Sequence, residues 1–324
     1  LRLLQHIRRQ GRVSQAALAT ASDLRPSTVS VLMRPLKDAG LVEIVGRGTS
    51  GTVGGKRPEL IALSGPHASF AGIYVREQEV DFHVMDYAET ETHRERCTLS
   101  QASPQEVVEV IAQRVSAIAA GTANFGGTGI AVSSVVAPRG DIEPSAGFRW
   151  SLPDFRSRLL EELKTDAPLV LENDANCAAV YADQWLKNGH DSLLTVFADL
   201  QTGMIGSGLI TGGVLYRGSR GAAGELWDPV SPLARTKGLW DDEAGHLRRL
   251  AYHVATARSI IDPEITVLCD GLPADAPENR EIERLLDHAG FRGRLAFLED
   301  ARSPVLGACL LAAREYEQRF VRRN

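Results

Sequence analysis

Hydrophobic residues at helical spacing open the chain, with Leu1, Leu3, Leu4 and Ile7 along one side of a first helix. Ser14 reads as the N-cap of a second helix whose Ala17 and Leu18 face inward, and residues 21–23 form a short turn. A third helix follows. Pro26 suits its first turn, Val29 and Leu32 point to the core, and Ser27, Thr28, Ser30 and Arg34 are left outward. Pro35 should kink or end that helix. Residues 41–45 and 60–63 then read as two strands joined by a glycine-rich loop. The order is that of a winged helix-turn-helix over residues 1–64.

Beyond residue 64 the pattern changes to alternating strands and helices. Residues 70–74, 80–85 and 130–136 are strand-like. Ser103 and Glu106 form a capping box for a helix with Val107, Val108, Ile111 and Val115 on one face. This alternation predicts an α/β body over residues 65–324, in two lobes of roughly 65–170 and 171–324. Residues 64–67 would supply a hinge between the two domains. A last helix over 303–322 has Val305, Leu306, Ala308 and Leu311 in register and is placed to pack beside the N-terminal domain.

Charge separates the same two parts. The chain of 324 residues has a net charge of −5, but residues 1–64 hold ten basic and four acidic side chains (+6), leaving −11 for the rest. A basic module on an acidic body points to a nucleic-acid partner held by the first segment alone. Arg25, Arg34, Arg47, Lys56 and Arg57 are the candidates for phosphate contacts. Ser27, Thr28, Ser30 and Arg34 are those for base edges, because short hydroxyls and an arginine on an exposed helix fit the major groove. Gln15, at the start of the second helix, completes the set. One such module contacts few base pairs, so a homodimer or homotetramer on double-stranded operator DNA is expected. No apolar run is long enough to span a bilayer and no signal peptide opens the chain, so the expected setting is the cytoplasm, away from membranes. Cys97, Cys177, Cys269 and Cys309 lie too far apart to suggest disulfides or a cysteine-rich zinc site. His190, His246 and His253 match no ligand pair well, and read as solvated or capped side chains.

The helix-turn-helix order, Gly54-Gly55-Lys56-Arg57-Pro58, Leu171-Glu172-Asn173-Asp174-Ala175-Asn176, and Gly221-Ala222-Ala223-Gly224-Glu225 together resemble the ROK family (repressor, open reading frame, kinase). The resemblance implies a body of two ribonuclease-H-like lobes, as in actin and hexokinase, with a sugar in the cleft. It makes Asp174 the counterpart of the kinase base and Asn173, Asp174 and Glu225 the counterparts of sugar ligands, with Asp228 where the family has a histidine that contacts both sugar and zinc. On residue types alone, Asn173 and Asp174 are equally explained as caps of a following helix.

Departures from the family fall on both sides of the cleft: toward the sugar, its Pro-Gly turn becomes Ser133-Ser134-Val135-Val136 and its sugar-contacting asparagine falls on residues 145–147, and the others lie on the nucleotide side. The family's phosphate turn, Asp-x-Gly-x-Thr, becomes Tyr74-Val75-Arg76-Glu77-Gln78, its Gly-Thr-Gly triplet falls on Thr202-Gly203-Met204, and Cys269-Asp270-Gly271 keeps one of the adenosine-side glycines. The cysteines of the family's zinc site have no counterpart. The expectation is therefore a non-enzymatic DNA-binding regulator, in the sense of a repressor, with neither cofactor nor metal. Its sugar-kinase-like body would serve oligomerisation and sensing of a sugar-type effector, with Asp174 a vestigial base. An active ROK sugar kinase, and a regulator indifferent to any ligand, are the alternatives.

Overall fold

A computed structural model describes residues 1–48, 57–101, 103–143, 152–199, 204–225 and 243–323. The first part folds as α1 (Arg2–Gln10), β1 (Val13–Ser14), α2 (Gln15–Ser22), α3 (Pro26–Asp38), β2 (Val42–Arg47) and β3 (Glu59–Leu63), with the strands in the order β1-β3-β2. Ser14 caps α2 by accepting from the Ala17 amide at 3.2 Å. Two inward assignments are corrected. Ala17 is exposed while Leu18 and Ala19 are buried, and Leu32 is 45% exposed while Met33 takes its place beside Val29 and Leu36. The apolar face of α3 thus runs at spacings of four and three, Val29, Met33, Leu36, and Leu32 lies on its margin. Pro35 does not end α3. It sits on the exposed side, its own carbonyl accepts from the Ala39 amide at 3.0 Å, and one further turn carries the helix to Asp38.

The body contains two sheets with the same strand order. The first comprises β4 (Ser69–Val75), β5 (Glu79–Asp86), β6 (Glu91–Thr98), β7 (Phe125–Val132) and β8 (Leu169–Asn173), ordered β6-β5-β4-β7-β8. The second comprises β9 (Ser192–Asp199), β10 (Met204–Thr211), β11 (Val214–Tyr216), β12 (Ile265–Cys269) and β13 (Arg294–Phe297), ordered β11-β10-β9-β12-β13. In each, the first three strands are antiparallel and the last two join in parallel. This repeated ribonuclease-H-like arrangement is the predicted one. The strand β7 begins before the expected residue 130 and stops at Val132, so Ser133 and Ser134 fall in the bend beyond it.

Helices α4 (Pro104–Gly121) and α5 (Phe155–Leu163) close one side of the first sheet over Ile73, Phe82, Val107 and Ile111. Helices α7 (Glu243–Ile261) and α8 (Pro277–His288) do the same for the second over Val196, Leu250 and Ile282. Between the sheets lie α6 (Asp174–Trp185), against β9 and β10, and α9 (Ser303–Arg323), against β4 and β7. Two glycines allow this close approach, since a Cβ at Gly129 would overlap the Ala308 carbonyl and one at Gly307 would overlap that of Cys177.

The N-terminal module is not hinged to the body. Leu4, Ile7, Val29, Met33 and Leu41 belong to one buried cluster with Phe70 and Tyr87 of the first lobe and Ala312 and Ala313 of α9. The segment expected to be a hinge is a single 3-10 turn, Gly65–His67, whose His67 ring lies 5.1 Å from that of Tyr87 and 5.7 Å from that of Tyr316. The last helix does pack against the N-terminal domain, but through Ala312, Ala313 and Tyr316, while Val305, Leu306, Ala308 and Leu311 of its expected register are buried within the body.

Candidate functional site

Among the residues read as DNA contacts, Arg25, Ser27, Thr28, Ser30 and Arg34 are all exposed, from the N-cap of α3 to its third turn. Arg47 ends β2 and Arg57 precedes β3, so both flank the wing and both are exposed. Gln15 is half-buried at the start of α2. Lys56 and the central wing, residues 49–56, lie outside the described residues.

In the body, the N-terminus of α6 meets the ends of β4 and β7. Asn173 caps α6, accepting from the Asn176 amide at 3.1 Å, and its Nδ2 donates to the Ser134 carbonyl at 3.1 Å and to Glu225 at 3.4 Å. The structure therefore brings Asn173, Asp174 and Glu225 together, as the family motif implied. Asn173 is a helix cap, and the same side chain reaches Glu225. Asp228, Thr202, Gly203 and residues 144–150 lie outside the described residues.

Asp174 is buried and its carboxylate is already occupied. Oδ1 accepts from the Ala175 amide at 2.8 Å, while Oδ2 accepts from the Tyr74 hydroxyl at 2.9 Å and from Ser133 Oγ at 2.7 Å. Burial raises the carboxyl above the usual range against the opposing effect of these hydrogen bonds. Burial, reinforced by Asp174, pushes the Tyr74 phenol well above its ordinary value, so it stays protonated and donates. Sequence reasoning marked Tyr74 as a missing aspartate; its contact with Asp174 was not foreseen. Nor was the role of Glu172, which binds the Asn173 amide, Asn176 Nδ2 and Arg217 Nε and so braces the same corner. Tyr74 Oη and Ser133 Oγ also lie 3.0 Å apart, so the two hydroxyls that donate to Asp174 sit side by side on its Oδ2. A kinase base needs a free oxygen for the substrate hydroxyl. Here Oδ2 already accepts twice and Oδ1 once, from the Ala175 amide.

The residues do not fit a family-type zinc ion. Cys177, Cys269 and Cys309 are buried in the core, and no cluster of three or more histidine, cysteine, aspartate or glutamate side chains among the described residues is arranged for a metal. His190 and His253 are buried, in contrast to the solvated reading, and packing rather than solvent surrounds them.

The opposite end of α6 reaches the N-terminal module. Asp183 accepts from Arg9 Nη2 through both oxygens, at 3.0 and 2.8 Å, and Gln184 Nε2 donates to the Arg8 carbonyl at 3.1 Å. Arg8 itself is buried, paired with Glu89 at 2.9 Å and with Glu317 of α9 at 2.5 Å, and Tyr87 donates to the same Glu317 at 2.8 Å. None of these residues drew notice in the sequence, where Arg8 and Arg9 counted only toward the basic total. One signal was present: two arginines sit in the last turn of a helix whose opposite face is apolar.

Comparison with known proteins follows this geometry. The winged helix-turn-helix DNA-binding family matches residues 1–43 and the ROK family matches residues 70–227. A xylose repressor of Staphylococcus xylosus is 25% identical over 231 residues, covering 69% of this chain; the chain spans 58% of that relative's length. A beta-glucoside kinase of Listeria innocua is 38% identical over 101 residues, which are 31% of this chain and 34% of the kinase. Among solved structures, a ROK family transcriptional regulator described as a homolog of the E. coli MLC protein superposes with a TM-score of 0.66 at 12% identity, over 94% of this chain and 93% of that one. That likeness establishes the fold. The chain thus carries a ROK family domain behind an N-terminal winged helix-turn-helix.

Proposed function

We propose that this protein is a ROK-type transcriptional regulator, acting as a repressor, that binds operator DNA through its winged helix and takes a sugar-type ligand in its cleft without phosphorylating it. The observation that carries the reading is α6. Its N-terminal end holds Asn173 and Asp174 in the cleft, and its other end, about 18 Å away for twelve residues, grips Arg8 and Arg9 of α1. A ligand that shifts one end of this helix alters what the DNA-binding module is fastened to. The relatives named as xylose repressors support a sugar of that kind as effector. The Tyr74–Asp174 contact supports binding without phosphoryl transfer. A homodimer reading an inverted repeat supplies the contact area a single module lacks, and operator binding supports a cytoplasmic setting.

The test joins two measurements. A duplex selected from genomic fragments should be bound with a steep salt dependence. Arg57→Ala should weaken it on all sequences and flatten the salt slope by about one. Adding D-xylose should release the DNA and raise the melting temperature, whereas ATP with magnesium should do neither. The retained Asn173, Asp174 and Glu225, with the 38% identity to a kinase segment, favour one other reading, an active sugar kinase. Sugar-dependent ADP release that Asp174→Asn abolishes would establish that reading in place of this one.

A further inference from the structure

The outward face of α3 has an apolar centre. Val31 is 68% exposed, more than any other large hydrophobic residue described in the N-terminal module. It is no part of the apolar stripe of α3, which runs along the opposite side through Val29, Met33 and Leu36. Ser27 lies four residues before it and Arg34 three after, so the three side chains form one row on the helix surface. Thr28 and Ser30 flank the row. Among the described residues, no side-chain hydrogen bond within the chain engages Ser27, Thr28, Ser30 or Arg34. Asp38 closes the far end of the same face with a negative charge, which confines any polyanion to the first three turns.

A valine gains nothing from water at this position, and its neighbours are those that dock a helix against DNA: short hydroxyls that allow close approach and a cation that reaches phosphate or guanine. In the major groove one base edge presents an apolar group, the 5-methyl of thymine. Resting on the DNA-binding reading above, we propose that Val31 determines operator specificity by packing its methyl groups against a thymine 5-methyl, with Ser27 and Arg34 fixing the bases or phosphates on either side. The polar candidates would then account for orientation and hydrogen-bonded positions, and Val31 for a preference for T·A that no hydrogen bond supplies.

The inference is tested by removing the methyl from the DNA and the side chain from the protein in turn. A duplex is selected by the full-length protein from a random library, and each thymine is then replaced singly by deoxyuridine, which deletes the 5-methyl and changes no hydrogen-bonding group of the base edge. At one thymine in each half-site the substitution should weaken binding about fourfold, the worth of one buried methyl-sized group. Val31→Ala should bind the thymine and uracil duplexes equally, with an unchanged melting temperature because the side chain is solvent-exposed. In the same cycle Arg34→Ala should lose affinity while keeping its sensitivity to uracil. A site insensitive to uracil at every position, or a Val31→Ala protein that keeps the wild-type sensitivity, overturns the assignment while leaving DNA binding intact. Failure to select any duplex overturns the DNA-binding reading, and this inference with it. If Val31→Ala instead abolishes self-association at unchanged affinity per site, the face belongs to a protein contact and the assignment falls.

Discussion

Single residues decide what this cleft can do, and Tyr74 is the clearest case. Its place in the motif was legible, because an aspartate of the family's phosphate turn is absent there. What it does instead was not, since Tyr74, Ser133 and Asp174 are about forty to a hundred positions apart in pairs and meet only when β4, β7 and α6 end at one corner. Titrating groups elsewhere have measurable consequences. His253 is buried on α7 and its imidazole falls to about 4, through burial first and the charge of Arg249 second. The unfolded chain, with an ordinary value near 6.5, therefore binds this proton before the folded one does. Stability is fully present above pH 6.5 and is lost as pH falls toward 4, by about 2–3 kcal/mol. Asp270 acts oppositely, because burial raises it to about 6, and the folded protein takes its proton first as pH falls. His253→Gln should therefore flatten one acid-dependent term and leave the other exposed, so that urea midpoints measured between pH 7 and 4.5 should decline less steeply than in the wild type, or rise. A steeper decline would contradict the assignment.

At the level of elements, hydrophobic spacing located α1–α4, α9 and the strands β2–β5 and β7, and its errors have a common origin. The stripe of α3 was placed one residue early because Leu32 and Met33 are both apolar and adjacent; only the packing of α2 and β2 against the helix selects Met33. Pro35 was expected to kink or end α3; the helix runs on to Asp38, since an exposed proline one turn from the end sacrifices a single carbonyl partner. The helix α4, by contrast, buries the four residues its pattern named, and Ser103 caps it. Its Glu106 departs from the expected reciprocal bond and serves the backbone of Ser100 and Gln101 instead. For α1 the sequence marked the apolar side alone, and its polar side proved to be half of an interface. Arg8→Ala would leave Glu317 and Glu89 facing each other without their cation, the former fully buried, and should cost about 3–5 kcal/mol in unfolding free energy. A loss under 1 kcal/mol in denaturant titration would show that α1 is fastened by apolar contact alone.

For the whole molecule, charge asymmetry and motif order suggested two domains joined at residues 64–67, and their cores run together across residue 64. Composition could not reveal this, because the residues that join the parts, Phe70, Tyr87 and Ala312 among them, are ordinary core residues of the body and carry no mark of what they face. The prediction that follows is cooperative. Heating should give one calorimetric transition, with signals from α-helix and from buried tyrosine coinciding, where a tethered module would melt separately. Removing residues 1–63 should leave a body that exposes Phe70 and Tyr87 and aggregates, which light scattering would register.

The occupied carboxylate of Asp174 has a last consequence, in the function proposed here, for the kind of information such a protein handles. A kinase consumes what it binds, so its occupancy reflects how fast substrate arrives and product leaves. With the phenol of Tyr74 on the base, a guest would depart chemically unchanged. Occupancy would then follow the free concentration of that guest at equilibrium, reversibly and without spending a nucleotide, and the protein would measure an amount where its catalytic relatives process a flow.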